Sequence, residues 1–182
     1  MRQIPKRWLL TGGFVILLLV GSLVLWRQRE QRKVHPLTPI FPSSLLNQPF
    51  PVPATDLVDL NGDKLKDSEM RTGKVVLVLL SEGCGPCIEE GKFLGSLGET
   101  RNDVRFYGIM PFGKDHTSLK SAVSRFPFKL YFDEGGSVVQ ALHLDKLPIK
   151  LYLQDGVLKK GWGGASFDSA RQTDFKHWLE SV

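Results

Sequence analysis

Residues 75–87 read Val75-Val-Leu-Val-Leu-Leu80-Ser-Glu-Gly-Cys84-Gly-Pro-Cys87, in which an unbroken apolar run precedes the only two cysteines of the chain. Such a run is typical of a strand that is buried on both faces. The residues that follow, 88–94, predict a helix, so the strand delivers Cys84 to a helix N-terminus. Unpaired backbone N–H groups and the helix dipole favour negative charge there. The position therefore favours the thiolate, which is the reactive form of cysteine.

Two cysteines with this spacing can switch between dithiol and disulfide without rearrangement of the fold, which favours a redox pair. Half of a zinc site and a small structural staple are the alternatives. A zinc site needs four ligands, and the four histidines have no paired spacing: His35, His116, His143 and His177. We therefore predict a redox-active Cys84–Cys87 pair, with no metal and no cofactor.

A second strong feature lies near the N-terminus, where Trp8 to Trp26 form 19 residues without a charge. As a helix this segment is about 28 Å long, enough to cross a bilayer core. Tryptophan at both ends and basic residues on both flanks suit the membrane interfaces. A cleaved signal peptide is the competing reading, but its apolar region is about 7–15 residues and ends at small residues. We predict a basic segment over 1–7 and an uncleaved transmembrane anchor over 8–26.

The net charge of +5 is a property of these flanks. Residues 1–33 carry seven basic residues and one acidic residue, whereas residues 34–182 carry 17 basic and 18 acidic residues. The basic character therefore gives no support to nucleic-acid binding. The basic residues on the two sides of the apolar segment nearly balance, so charge alone does not fix the orientation of the anchor.

The segment after the anchor contains six of the eleven prolines, all within residues 34–53. Such a composition predicts a semi-rigid, extended spacer, although its second half can also pack along the following domain. We predict a basic and then Pro-rich linker over 27–53 and one domain over 54–182, a length that supports its own core.

Apolar patterns of strand and helix type alternate along this domain. A short hairpin is predicted around Asn61-Gly62. Strands are predicted over 75–80, 104–110, 128–132, 148–154 and 157–162, and helices over 85–97, 115–125 and 137–143. A last, C-terminal amphipathic helix is predicted from Phe175, Trp178, Leu179 and Val182. This order predicts an α/β domain with a central mixed β-sheet flanked by helices.

With these motifs the chain resembles the thioredoxin fold, and within it the membrane-anchored TlpA/ResA/CcmG-like (redoxin) thiol–disulfide oxidoreductases of bacteria. The resemblance covers roughly residues 50–165. It rests on the order and spacing of five segments: Leu57-Val-Asp-Leu-Asn-Gly62, Gly73-Lys-Val-Val-Leu77, Cys84-Gly-Pro-Cys87 followed by Glu90, Phe132-Asp-Glu-Gly135, and Leu147-Pro148 before a strand that ends in Asp155-Gly156.

The resemblance implies roles for individual residues. Cys84 matches the nucleophilic cysteine and Cys87 the resolving cysteine. Pro148 matches a proline that family members keep in cis opposite the cysteines, which leaves the backbone of Leu147 free to pair with an extended substrate segment. Gly83, just before the first cysteine, Leu147 and Pro148 are expected to contact the substrate.

Glu90 matches a helix glutamate of the ResA-like branch. It lies three residues after Cys87, hence on the same helical face, where a partly buried carboxylate can move a proton to or from Cys87. A solvated glutamate in the first helical turn is the alternative.

Three positions depart from the pattern. Cytosolic thioredoxins carry a buried Asp where this chain has Val78, which points towards the anchored branch. The family's usual Trp is replaced by Gly83, and its small hydroxyl residues after the proline are replaced by Ile149-Lys150. We expect these last two changes to alter the surface around the cysteines.

The predicted function is that of a membrane-tethered oxidoreductase that reduces specific protein disulfides, as in cytochrome c maturation. Anchored relatives hold this domain outside the cytoplasm, and a single cysteine pair suits an oxidising compartment. The expected location is the bacterial inner membrane with a periplasmic domain, and the expected partners are protein disulfides and a membrane electron donor. A copper-delivery factor that uses the cysteine pair with His143 or His177, and a peroxiredoxin-type peroxidase, are the alternatives.

Overall fold

A computed structural model of the chain describes residues 21–22, 43–111, 120 and 123–182. All the strands and helices named below belong to the unit Leu37–Val182, which is one of two units of the chain. Within the described residues, no helix combines the length and apolar character needed to cross a membrane. The predicted anchor over 8–26 lies outside these residues, apart from Gly21 and Ser22.

The core of the domain is a six-stranded mixed sheet. Its strands are β1 (Gln48–Pro49), β2 (Lys74–Leu79), β3 (Val104–Pro111), β4 (Lys129–Asp133), β5 (Ile149–Gln154) and β6 (Val157–Gly163). They are arranged in the order β1-β6-β5-β2-β3-β4. The strands β2, β3 and β4 run parallel, whereas β5 is antiparallel to β2 and β6, and β1 is antiparallel to β6. The predicted α/β order and mixed sheet are confirmed.

Four helices accompany the sheet in the described part of the chain: α1 (Asp67–Arg71), α2 (Gly85–Gly98), α3 (Ser137–Ala141) and α4 (Ser169–Glu180). Alternate residues of β2 enter two separate apolar clusters, as expected for a strand with helices on both faces. Val75, Leu77 and Leu79 lie with residues of α1 and α3. Val76 and Val78 lie with residues of α2 and α4, including Cys87 and Phe175.

The strand and helix predicted around the cysteines match β2 and α2 closely, and the later strands and α4 lie where the pattern placed them. The predicted hairpin is present but short: Val58 and Lys64 form one antiparallel bridge, and backbone hydrogen bonds join Asp59 to Asp63 and Leu65 to Leu57. Val182 follows the end of α4 and is 37 % exposed, so it does not belong to the buried face formed by Phe175 and Leu179. The helix predicted over 115–125 lies mostly outside the described residues.

The second half of the Pro-rich segment packs along the domain and is not an extended spacer. This is the alternative that the sequence analysis gave for this half of the segment. Gln48 and Pro49 pair with Leu158 and Val157 at the edge of the sheet, a place where proline is tolerated because no ladder bond depends on its missing N–H. The side chains of Phe50 and Val52 are 2 % exposed. Folded structure therefore begins before the predicted boundary at residue 54.

Candidate functional site

Cys84 is the N-cap of α2, directly after the turn that follows β2. Its Sγ accepts a hydrogen bond from the backbone N–H of Cys87 at 3.2 Å, so the sulfur occupies the place where a helix end favours an acceptor. Pro86 lies in the first turn of the helix, where its missing N–H costs no helical bond. The local sequence therefore determines where α2 begins and places the sulfur of Cys84 where the helix N-terminus stabilises it.

The two cysteines are joined by a disulfide, and they differ in exposure. Cys84 is half-buried, whereas Cys87 is fully buried within the cluster that includes Val76 and Val78. Gly85 and Pro86 between them are exposed. An external reactant can therefore approach the pair from the side of Cys84.

Leu147 and Pro148 lie beside this region, and the peptide bond between them is cis. Leu147 packs against the same apolar cluster as the cysteines, and it lies just before β5, which begins at Ile149. The carbonyl of Pro148 accepts a hydrogen bond from the backbone N–H of Gly164 at 2.8 Å. The sheet thus brings the proline turn and the loop after β6 to the face that carries Cys87.

Gly83 is exposed and has a φ of +72°. A residue with a side chain is strained at this backbone conformation, so the turn before Cys84 favours glycine. Its role in substrate contact stays a prediction.

Glu90 is not a solvated glutamate, because its side chain is fully buried and forms an ion pair with Lys150. Lys150 Nζ lies 2.7 Å from Glu90 Oε1, and both side chains are 0 % exposed. Ser166 donates to the other carboxylate oxygen through its backbone N–H and to Oε1 through its hydroxyl at 3.3 Å. The carboxylate therefore accepts from three donors.

The hydrogen-bonding capacity of the Lys150 ammonium group is also fully used. Besides Glu90, it donates to the carbonyl of Gly164 at 3.1 Å and to the hydroxyl of Ser166 at 3.4 Å, which matches the three donors of an ammonium group. The expectation that Ile149-Lys150 alters the surface is wrong, since both residues are 0 % exposed. Lys150 lies opposite Val78 in the β2–β5 ladder, and a salt-bridge partner on α2 permits its burial there.

Burial lowers the pKa of Lys150, because the interior disfavours its charged form. The neighbouring Glu90 carboxylate opposes this shift, while the guanidinium of Arg171 adds to it.

The sequence analysis did not find Gly164 and Ser166 at this site, and it placed Lys150 at the surface. A lysine inside the otherwise apolar run of 149–153 was the available signal, since a charged residue in a buried strand needs a partner. The partner itself was not identifiable, because Glu90 is 60 residues away in the sequence and only the packing of α2 on β5 joins the two.

Within the described residues, no group of three or more His, Cys, Asp or Glu side chains could hold a metal ion. His143 and His177, which the copper alternative would need, are both exposed.

Comparisons with solved structures identify the fold. A putative thiol:disulfide interchange protein DsbE from Chlorobium tepidum has a TM-score of 0.64 at 15 % identity, over 75 % of this chain and 96 % of that one. A secreted Mycobacterium tuberculosis disulfide oxidoreductase described as homologous to E. coli DsbE has a TM-score of 0.59 at 17 % identity, over 69 % and 94 %. StoA from Bacillus subtilis has a TM-score of 0.54 at 16 % identity, over 70 % and 99 %.

No protein-family model and no curated protein matches the chain. The structural similarity shows that the domain has a thioredoxin-like α/β fold with a central mixed sheet, as predicted. It places the cysteine pair on a fold used by thiol–disulfide oxidoreductases.

Proposed function

We propose that this protein is a thiol–disulfide oxidoreductase that reduces disulfides of other proteins through Cys84 and Cys87. The observation that carries the proposal is the disulfide at the start of α2, with a half-buried Cys84 as N-cap and a fully buried Cys87. A disulfide that serves only as a structural staple needs neither the helix N-terminus nor one accessible sulfur.

The reaction begins from the dithiol. The Cys84 thiolate attacks one sulfur of a substrate disulfide, forms a mixed disulfide and releases the first substrate thiolate. Cys87, after losing its proton, attacks Cys84 Sγ, closes the Cys84–Cys87 bond and releases the second substrate thiolate. Two electrons pass from the cysteine pair to the substrate, and the released thiolates take up the two protons lost by the cysteines.

The surface around the cysteines suits a protein substrate. Gly83, Gly85 and Pro86 are exposed beside Cys84, and Leu147 lies before the first paired residue of β5. An extended substrate segment can pair with the backbone of Leu147 while its sulfur meets Cys84, in the manner of strand addition. In a narrower form of this proposal the substrates are specific disulfides, such as those of cytochrome c maturation, which the resemblance of the sequence to the TlpA/ResA/CcmG-like oxidoreductases supports.

The proposal includes a location and an electron donor. The uncharged segment from Trp8 to Trp26 supports a membrane anchor, and the single cysteine pair supports an extracytoplasmic domain in the bacterial inner membrane. A reductase there needs continual re-reduction, so we propose a membrane-bound thiol donor as its second partner.

The test is a substrate trap in cells that express the full-length chain. Cys87→Ser blocks resolution, so mixed disulfides on Cys84 accumulate and can be identified by mass spectrometry. Cys84→Ser is the matched control, because it leaves only the buried thiol and should trap far less. Equal trapping by both variants, or none by Cys87→Ser, would contradict the proposal.

A further inference from the structure

The Glu90–Lys150 pair is unusual because two ionised groups are completely removed from water. Burial of each ion costs several kcal/mol, and replacement of such a pair by apolar residues is often neutral or stabilising. A contribution to stability alone is therefore a poor explanation for the pair. Its position beside the cysteines offers another explanation.

The pair joins three segments around the cysteines. Glu90 is one helical turn after Cys87 on α2, and Lys150 is two residues after the cis Pro148. The third segment is the loop after β6, where Gly164 and Ser166 bind both charges. Gly164 also binds the carbonyl of Pro148. One buried network thus connects the redox helix to the proline turn.

We propose that Lys150 is a positioning residue for Glu90: its buried ammonium group keeps the Glu90 carboxylate ionised and fixed one turn from Cys87, where it accepts the Cys87 proton. The inference rests on the proposed function. When Cys87 resolves a mixed disulfide, its thiol proton passes to Glu90, its sulfur bonds to Cys84, and the bond from Cys84 to the substrate breaks. The proton then passes from Glu90 to the departing substrate thiolate.

The geometry supports this assignment. Two of the donors to Glu90, the Lys150 ammonium and the Ser166 backbone N–H, have no acceptor function and match an ionised carboxylate. Without the cation, a carboxyl group with no exposure to water takes up a proton instead of remaining charged. It would then have no capacity to accept a proton from Cys87.

Other charges near the pair come from two elements. Arg171 on α4 acts on Lys150, and it is itself paired with Asp168 at 3.5 Å. On α2, Glu89 and Lys92 form an exposed ion pair at 2.8 Å and face the solvent. Lys150 is therefore the cation in direct contact with Glu90, and its removal is the sharpest test.

The experiment follows both thiols in one reaction of the reduced full-length protein with an aromatic nitrobenzoate disulfide. Attack by Cys84 releases one chromophoric thiolate in a first phase, and resolution by Cys87 releases a second. Lys150→Met should leave the first phase within about threefold. It should slow the second phase by about tenfold or more near neutral pH, as expected when a positioned base is lost.

A direct readout is the carboxyl carbon signal of Glu90 in NMR spectra of the reduced protein. At neutral pH this signal should have the position of a carboxylate in the native protein, and in Lys150→Met it should move towards the position of the protonated acid. A folded Lys150→Met protein with an unchanged carboxylate signal and an unchanged second phase overturns the proposal. This readout needs no protein substrate, so it is independent of the substrate trap.

The double variant Glu90→Gln/Lys150→Met covers the case in which the single variant does not fold. It removes both charges together, and such neutral replacements are usually tolerated. We expect a folded protein with a normal first phase and a second phase slowed by about 10², because the base itself is absent. Resolution at the native rate in this variant would overturn the proposal.

Discussion

Cys84 and Cys87 are chemically alike, yet the structure gives them different surroundings. Cys84 Sγ accepts the Cys87 backbone N–H and is half-buried, whereas the Cys87 side chain is enclosed in the apolar cluster below α2. In the dithiol state the same N-cap position should stabilise a thiolate on Cys84.

The first prediction is that Cys84 is the more reactive thiol. With limiting iodoacetamide at about pH 7, Cys84 of the reduced protein should be alkylated first, by about tenfold or more, because thiolate fraction and access both favour it. Peptide mass spectrometry reads the two positions separately. Cys84→Ser is the control, since its remaining thiol should react slowly. Faster alkylation of Cys87 in the native protein would reverse the two assigned roles.

The burial of Lys150 and its ion pair with Glu90 could not be predicted from the sequence. The motif Cys84-Gly-Pro-Cys87 alone predicts the redox pair, because its chemistry is local. The burial of Lys150 depends on β5 lying under α2, which no local pattern reveals. The charge of Glu90 is balanced by Lys150 at 2.7 Å, so Glu90 does not act on the cysteines as an isolated anion.

At the scale of elements, α2 approaches its neighbours at glycine positions. A Cβ at Gly95 would overlap the ring of Pro127, whereas a Cβ at Gly98 would lie 3.4 Å from the ring of Phe106, an ordinary contact. Close packing of this kind fixes the helix that carries both cysteines.

The second prediction follows from this difference. Gly95→Ala should lower the free energy of unfolding by about 1–3 kcal/mol, because the extra methyl group forces α2 or Pro127 to move. Gly98→Ala is the matched control in the same helix, and it should be neutral or stabilise by up to about 1 kcal/mol. Urea unfolding measures both, and an equal effect of the two substitutions would contradict the packing described here.

The elements differ in how far the sequence predicts them. β2 and α2 are predictable because an unbroken apolar run and a Cys-Gly-Pro-Cys turn mark their boundaries. β1 is not, since Gln48–Pro49 carries no strand pattern and exists only through pairing with β6. The five-residue helix α1 (Asp67–Arg71) is likewise set by tertiary contact, with Met70 buried against the sheet, because so short a helix is not stable alone.

At the scale of the whole molecule, the proposed function joins a membrane anchor to a redox domain, and the orientation of the anchor decides which disulfides the domain can meet.

The third prediction is that the domain faces away from the cytoplasm. A membrane-impermeant maleimide should label the reduced cysteines in intact spheroplasts that express the full chain, because an N-in, C-out anchor exposes them outside. A cytoplasmic protein with an accessible cysteine is the control for leakage. Labelling that requires lysis would place the domain in the cytoplasm.

The direction of electron flow is the central claim, and the redox potential of the Cys84–Cys87 pair tests it most directly. Neither Gly85 nor Pro86 can stabilise the Cys84 thiolate as a charged residue inside the motif would, so the dithiol gains no stability beyond that given by the helix N-terminus. The potential should therefore lie near that of thioredoxin, about −270 mV, rather than that of a strong oxidase, about −120 mV. Equilibration of the purified protein with glutathione buffers, read by the mass of the alkylated thiols, gives the value. A potential near −270 mV is the predicted result, and one above about −180 mV would contradict a reductase and indicate a disulfide-forming protein.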